Sequence, residues 1–567
     1  MTFVRLRVRR ALSFCVLAGV AVLTSVLGLS PAECRADDVS SWQTGIPRIN
    51  GPRVIGAVPN RAFSHALPIA GAREGLRVSV TGDLPEGVVF DAARAEFSGK
   101  AAKGESRLTV TAANAAGETC VEIVLKIGDG CRLLTPPMGW SSWNAYEGHV
   151  SQRLVEATAR TLVSRGLAAH GYRYVNIDSC WQGERLPPMR ALQPDPRYFP
   201  DMGGLVRTIH GLGLKAGIYT TPMVWAWGGT NGRLLRGSTG YPLDPEHYHP
   251  YWGGCGKVGY EDRDAKQFAA WGFDWLKYDW SNTDVVHARR MRTALDATGR
   301  DFVMQVCTGV KYQDADEMAQ WADLVRANTD TRDDWKWLLE KGVFRTVDRW
   351  LGKIRPGFWY DPDMLAVGPL QLGRRQGPIL PERPLSDEHR NRLTQDETVT
   401  HFAWWAILPA PLFLSCDIAH LDDFTLETVT NDELIAINQD YPASPARPTD
   451  FGRGRRLWTR SLSDGRTVLG FFNLGDETWE VRHALERAAA VRDVVRHQDL
   501  GTAESLSFAI PPHACRVCAV KPLKIVDPSN SRGDKPNSWL VLREHSAECS
   551  HGAVVAIVAI DIDRWLC

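Results

Sequence analysis

Between Leu133 and Gln439 short apolar runs alternate with stretches whose apolar residues recur every three to four positions. Tyr174-Val175-Asn176-Ile177-Asp178 reads as a strand, and Asp201 then opens a segment whose Leu205, Ile209 and Leu212 form one helical stripe. Ala216–Tyr219 is the next strand-like run, a helix pattern ends at Phe268 and Trp271, and Trp275–Asp279 is again strand-like. Phe302–Val306, Leu324–Ala327, Phe358–Asp361 and Leu412–Ser415 continue the series that Met138–Trp143 begins, which makes eight strand candidates. Repeated strand-then-helix units over a stretch of this length predict an α/β fold, a (β/α)8 TIM barrel spanning residues 133–440.

The flanks follow another rhythm. Over residues 45–128 apolar and polar positions alternate, as in Leu76–Val80 and Leu108–Thr111, with turn formers such as Gly82–Gly87 between them. This predicts a small N-terminal β-sandwich module. Its stretch from Leu84 to Gly117 resembles an immunoglobulin-like repeat of bacterial surface and secreted proteins, which implies either a spacer or a contact with carbohydrate. Over residues 442–523 the helix pattern stops. Arg456–Arg460 and Thr467–Phe471 flank Asp464-Gly465, a hairpin signal, so a C-terminal antiparallel β domain is expected. Residues 524–567 form a tail that fits neither pattern.

At the N-terminus Arg5, Arg7, Arg9 and Arg10 precede an apolar run from Ala11 to Leu29, followed by Pro31 and a short stretch ending at Ala36. That order predicts a signal peptide over residues 1–36, hence an exported chain, periplasmic or extracellular, with no stable membrane insertion after cleavage. The alternative is an uncleaved anchor. Lys plus Arg equals Asp plus Glu at 66 each, which removes any electrostatic reason to expect a nucleic-acid partner. Twelve cysteines are scattered; Cys120 and Cys131 are the nearest candidate pair, and Cys515 with Cys518 is a lone CxxC that does not make a zinc site.

Active-site groups of a TIM barrel sit at the C-terminal ends of its strands. Asp178, Asp279, Asp330, and Asp361 with Asp363 follow four of the predicted strands, so carboxylates from four strand ends meet on one face. Glycosidic cleavage needs one ionised and one protonated carboxyl group. Lys277 is placed to keep Asp279 ionised, and Asp330 lies among Arg326, Arg332, Asp333 and Asp334. Any one such Asp is commonly a helix cap or a loop ion pair. A metal-dependent barrel hydrolase competes with the glycosidase reading, but His210, His247, His249 and His401 offer no evident ligand set.

Several blocks carry a resemblance. Pro136-Pro137-Met138-Gly139-Trp140 with Trp143-Asn144, Asn176-Ile177-Asp178 with Trp181, Gly213–Tyr219, Trp271–Asp279, Asp361–Leu365, Ala410–Phe413 and Ile437–Asp440 stand in order across the barrel region. Together they resemble the α-galactosidase family, glycoside hydrolase family 27. The resemblance implies a retaining, exo-acting hydrolase that releases terminal α-D-galactosyl residues from an oligosaccharide or polysaccharide, without metal or organic cofactor. It implies Asp279 as nucleophile and Asp330 as acid/base, with Trp140, Asp178, Ser179, Tyr219, Lys277, Cys307, Arg326 and Asp363 shaping the sugar pocket. Three positions depart from the family pattern. Ser179 stands where many members have a second acid, Ser281 stands where a cysteine that would pair with Cys255 is common, and Val306-Cys307-Thr308-Gly309 matches neither usual sensor of the sugar 2-substituent. Related α-N-acetylgalactosaminidase, β-L-arabinopyranosidase or dextran-active chemistry therefore stays open, as does an inactive sugar-binding protein. The stretch from Val224 to Tyr251, with Trp225, Trp227 and the adjacent Trp252, reads as an insertion that adds aromatic subsites or packs as a loop.

Overall fold

The computed structural model describes residues 43–227, 235–249, 253–281, 283–370 and 390–523. The signal-peptide segment, the tail from residue 524 and Trp252 lie outside the described residues. Eight parallel strands form the centre: β1 (Met138–Ser141), β2 (Tyr174–Ile177), β3 (Lys215–Thr220), β4 (Trp275–Asp279), β5 (Val303–Cys307), β6 (Leu324–Arg326), β7 (Trp359–Asp361) and β8 (Leu412–Leu414). From β1 to β7 each strand pairs with its sequence neighbour, β8 pairs with β1, and an isolated bridge from Leu365, just beyond β7, to Leu414 of β8 closes the ring. This is the TIM barrel that the sequence predicts. Its strands are buried on both faces, which is why they read as short apolar runs rather than alternating ones. The expected cap of the helix Met202–Gly211 is present: Asp201 Oδ1 accepts from Gly204 N at 2.7 Å.

Two sheets of four and three strands over residues 54–127 share their own core, centred on Phe97, Val110 and Ile123. They lie against the N-terminal end of the barrel. There Asn50 Nδ2 donates to Ala169 O at 2.8 Å, and Arg173, just before β2, donates to Ala66 O and Gly213 O. The cysteines depart from expectation. Cys120 is exposed on the strand Gly117–Ile127, Cys131 is buried beyond its end, and both are free thiols. Strand pairing sends Cys120 toward Thr111, 3.2 Å from its hydroxyl, and not toward residue 131.

The C-terminal sheet has six antiparallel strands, and the predicted hairpin pairs Ser461 with Thr467 around Gly465, whose φ of +82° suits a residue without Cβ. One face of this sheet packs on the barrel helix Gln395–Ile407, with Trp404 5.0 Å from Trp458 and 4.7 Å from Phe472 between ring centres. Arg460 reaches through that interface to the Ala406 and Ile407 carbonyls at the helix C-terminus. Cys515 and Cys518 are buried free thiols in this sheet. Among the described residues, no helix is long and apolar enough to cross a membrane.

Candidate active site

The C-terminal ends of the strands enclose a cavity of about 590 Å³, and carboxylates and cations line its floor. Lys277 and Asp279 both project into the cavity because strand side chains two residues apart share a face. Lys277 Nζ donates to Asp178 Oδ2 at 2.8 Å. Burial disfavours the ammonium, but Asp178, with Cys307 and Asp279, reverses this and holds its pKa above the ordinary lysine value. Asp178 is fixed from three more sides, by Ser141 Oγ at 3.4 Å, by Ser179 N at 2.8 Å, and through its own N–H by Ser142 Oγ at 2.9 Å.

Arg326, at the end of β6, joins the remaining acids. Its Nη1 lies 3.0 Å from Asp363 Oδ1, and its Nη2 donates to Asp330 Oδ1 at 2.6 Å and to Thr308 Oγ1 at 2.7 Å. Thr308 Oγ1 in turn donates to Asp279 Oδ1 at 3.0 Å. One hydroxyl and one guanidinium nitrogen therefore link Asp279 to Asp330. The two differ in setting: Asp279 stands on the cavity floor, whereas the Asp330 side chain is 60% exposed at the rim. Burial raises the Asp279 carboxyl pKa, with Lys277 and Arg326 opposing it; Arg326 holds that of Asp330 below the usual carboxylate range. In the free protein burial thus outweighs Lys277, which the sequence places to keep Asp279 ionised.

Tyr219 is buried, with its phenol directed at Asp279. Burial, Asp279 and Asp178 keep it a neutral phenol. Ser179 lines the cavity, but its Oγ donates to Trp227 O at 2.5 Å and so tethers the segment that carries Trp227. Asp363 holds a φ of +80°, and Thr331 N donates to its second oxygen at 2.7 Å, which aims the carboxylate at Arg326.

Two expected pocket residues do not line the cavity. Trp140 is fully buried: its Nε1 donates to Cys416 O at 2.8 Å and its ring packs edge-on against Tyr146, so the core claims it. Cys307 pairs with Asp279 in the β4–β5 register but is fully buried; Thr308, one residue on, reaches the cavity instead. Sequence reading missed Thr308, although it had marked the segment Val306–Gly309 as unusual. It also missed Trp280, and it placed Trp143 and Met364 only within motifs and Trp227 only within the insertion. Of the histidines set aside as ligands, His210 pairs with Asp274 at 2.8 Å and His401 Nε2 accepts from Ala366 N at 3.0 Å. The His249 side chain lies outside the described residues. His247 does have company, in Asp284 and His287.

Asp361 stands behind the site, accepting from Gln305 Nε2 and from Asp363 N. Burial, then the neighbouring Asp363, push its pKa up to about 6. A carboxyl raised in the folded state lends stability below its unfolded pKa of 3.8, and that contribution is lost as pH rises through about 6. Asp361→Asn removes the cost of a buried charge, on the order of 2–3 kcal/mol at neutral pH. Its Tm is expected to exceed that of wild type at pH 7.5 and to meet it near pH 4 in parallel thermal scans.

Comparison with known proteins places these geometries in context. The family profile described as "Alpha galactosidase A" matches residues 135–239, 247–379 and 390–440, and that of the "Alpha galactosidase C-terminal beta sandwich domain" matches residues 452–520. The chain is 31% identical over 397 residues to alpha-galactosidase 2 of Arabidopsis thaliana, covering 68% of this chain and 89% of that one. With alpha-galactosidase of Cyamopsis tetragonoloba it shares 30% over 406 residues, 68% of this chain and 86% of the other. The crystal structure of alpha-galactosidase I from Mortierella vinacea superposes with a TM-score of 0.58 at 26% identity, over 70% of this chain and 98% of that one.

Proposed function

The chain belongs to the α-galactosidase family, glycoside hydrolase family 27, and from that premise we propose that it is an exo-acting retaining α-galactosidase that works through a covalent glycosyl-enzyme. The observation that carries this reading is the linked pair of carboxylates, one sheltered on the floor and one open at the rim, joined through Thr308 and Arg326. A lone pair of Asp279 forms a bond to the anomeric carbon as the bond to the aglycone oxygen breaks, and Asp330 gives that oxygen its proton. Water then attacks the same carbon, its proton passes to Asp330, and Asp279 leaves as carboxylate. The rim position suits Asp330, which must meet both aglycone and water. The floor position suits Asp279, which must be shielded from both.

The floor supplies polar partners for sugar hydroxyls. Lys277, Asp178 and Asp363 are fixed by other side chains, and the Tyr219 phenol stands beside Asp279. Trp143, Trp227 and Trp280 provide apolar walls. α-Galactose as the preferred sugar rests on the relatives; Ser179 tethers Trp227 and leaves no second acid at that position. In a nitrophenyl glycoside panel we expect turnover of the α-galactoside to exceed that of the α-N-acetylgalactosaminide and β-L-arabinopyranoside by at least about 100-fold, the range that pocket contacts discriminate. A preference for either of the others rejects the sugar assignment. Early-time NMR is expected to show the α anomer as first product, and a β anomer rejects retention. Export follows from the reading of residues 1–36; secretion of the full-length chain with a new N-terminus near Ala36 is its test.

A further inference from the structure

We propose that His247, Asp284 and His287 form a binding site for one zinc-class divalent ion, which clasps an extended hairpin to the wall of the sugar cavity. The hairpin pairs Thr239–His249 with Gly253–Gly259 and carries His247. Asp284 and His287 belong to the turn after β4 and the first turn of the helix Val285–Ala297. The hairpin and the helix are separate elements, yet one donor atom from each of the three residues lies within 4.8 Å of the other two.

The donors are oriented as ligands. His247 Nδ1 lies 3.1 Å from Asp244 Oδ2, so the ring is held by one nitrogen and Nε2 is the nitrogen an ion would take. A carboxylate on the far nitrogen is the usual support of a metal-bound imidazole. His287 Nδ1 lies 2.9 Å from Asp284 Oδ2, close to the ~3 Å that separates two donors bound side by side at ~2.1 Å from one ion. Metal binding replaces the proton these two atoms share. The His287 side chain is 3% exposed, while His247 and Asp284 are partly open, at 24% and 23%, which leaves a route for entry and room for water to complete the coordination. Two imidazoles and one carboxylate favour zinc and its neighbours over calcium or magnesium, which take oxygen ligands. The rings meet edge to face, 4.7 Å between centres and 84° apart.

The consequence reaches the cavity through Trp280. Its Nε1 donates to Asp284 Oδ2 at 3.2 Å, and the residue lines the cavity one position after Asp279. An ion on Asp284 would fix the carboxylate that orients this indole. The ion is structural in this scheme and takes no part in bond cleavage.

The test uses the full chain, stripped with chelator and dialysed, then titrated with zinc sulfate by calorimetry while bound metal is counted by mass spectrometry. Wild type is expected to bind one equivalent that His247→Ala lacks, with zinc raising Tm in wild type and leaving that of the variant unchanged. Tryptophan fluorescence is expected to respond to zinc in wild type alone. His247 lies at a partly exposed position, so its variant is expected to fold; circular dichroism checks this. Asp244→Asn is expected to weaken zinc binding by 10–100-fold, the range for loss of a partner that supports a ligand. Equal stoichiometry in wild type and His247→Ala places any bound zinc elsewhere and overturns the proposal, as does the absence of binding by wild type. Either result leaves the galactosidase reading untouched, because that reading rests on Asp279 and Asp330.

Discussion

Asp279→Asn is expected to lower kcat on α-galactosides by about 10⁴-fold or more, roughly 5.5 kcal/mol of transition-state stabilisation, with KM changed only a few-fold. Asparagine keeps the size of the side chain and can still accept from Thr308, so the floor of the cavity is preserved. What disappears is the anionic oxygen that bonds to carbon. Asp279→Gly adds a sharper readout, because the vacated space admits a small anion. With azide supplied, nitrogen attacks from the side that the carboxylate occupied while Asp330 protonates the leaving oxygen. The product is then the β-galactosyl azide from an α-galactoside. Recovery of that product assigns the floor position to Asp279. Wild-type turnover in either variant, or an α-galactosyl azide from Asp279→Gly, removes Asp279 from the nucleophile role.

Much of this arrangement is legible in the sequence. The eight strand runs could be read because a barrel strand is buried on both faces and tolerates little but apolar residues. The acids could be read because the fold concentrates function at strand ends, and the spacing of Lys277 and Asp279 puts both on one face. The misreadings fall where local pattern stops deciding. Trp140 carries a family motif, yet its indole finds a carbonyl inside the core. Cys307 and Thr308 are neighbours, and only the geometry beyond the end of β5 decides which reaches the cavity. His247 and His287 are far apart along the chain and share no periodicity; a hairpin and a helix bring them together. The order of proton affinities was least accessible, since it depends on how Arg326 divides itself among Asp363, Asp330 and Thr308.

That division bears on Asp330. In the free protein its ion pair with Arg326 favours the carboxylate, whereas the first chemical step needs the acid. Arg326 retains Asp363 as a buried partner, so loss of Asp330 does not strand the guanidinium. A bound aglycone displaces water from the exposed Asp330 and disfavours its charge, and ester formation on Asp279 later removes the negative neighbour. The alkaline limb of kcat/KM, which reports the free enzyme, is therefore expected at lower pH than that of kcat, which reports the complex. Asp330→Asn should abolish both limbs so far as they report this group. Its cost should follow the leaving group: about 10²–10⁴-fold in kcat/KM for an alkyl α-galactoside, whose oxygen needs a proton, and far less for a dinitrophenyl α-galactoside, whose oxygen departs as a stable anion. With the latter, release of the sugar becomes slow because water has lost its base, so stopped-flow traces should show a burst followed by a slow steady state. Azide added to Asp330→Gly should speed that second phase and give the α-galactosyl azide, the opposite anomer to the one expected from Asp279→Gly. Equal losses on both leaving groups would place Asp330 among the groups that merely hold Arg326 in position.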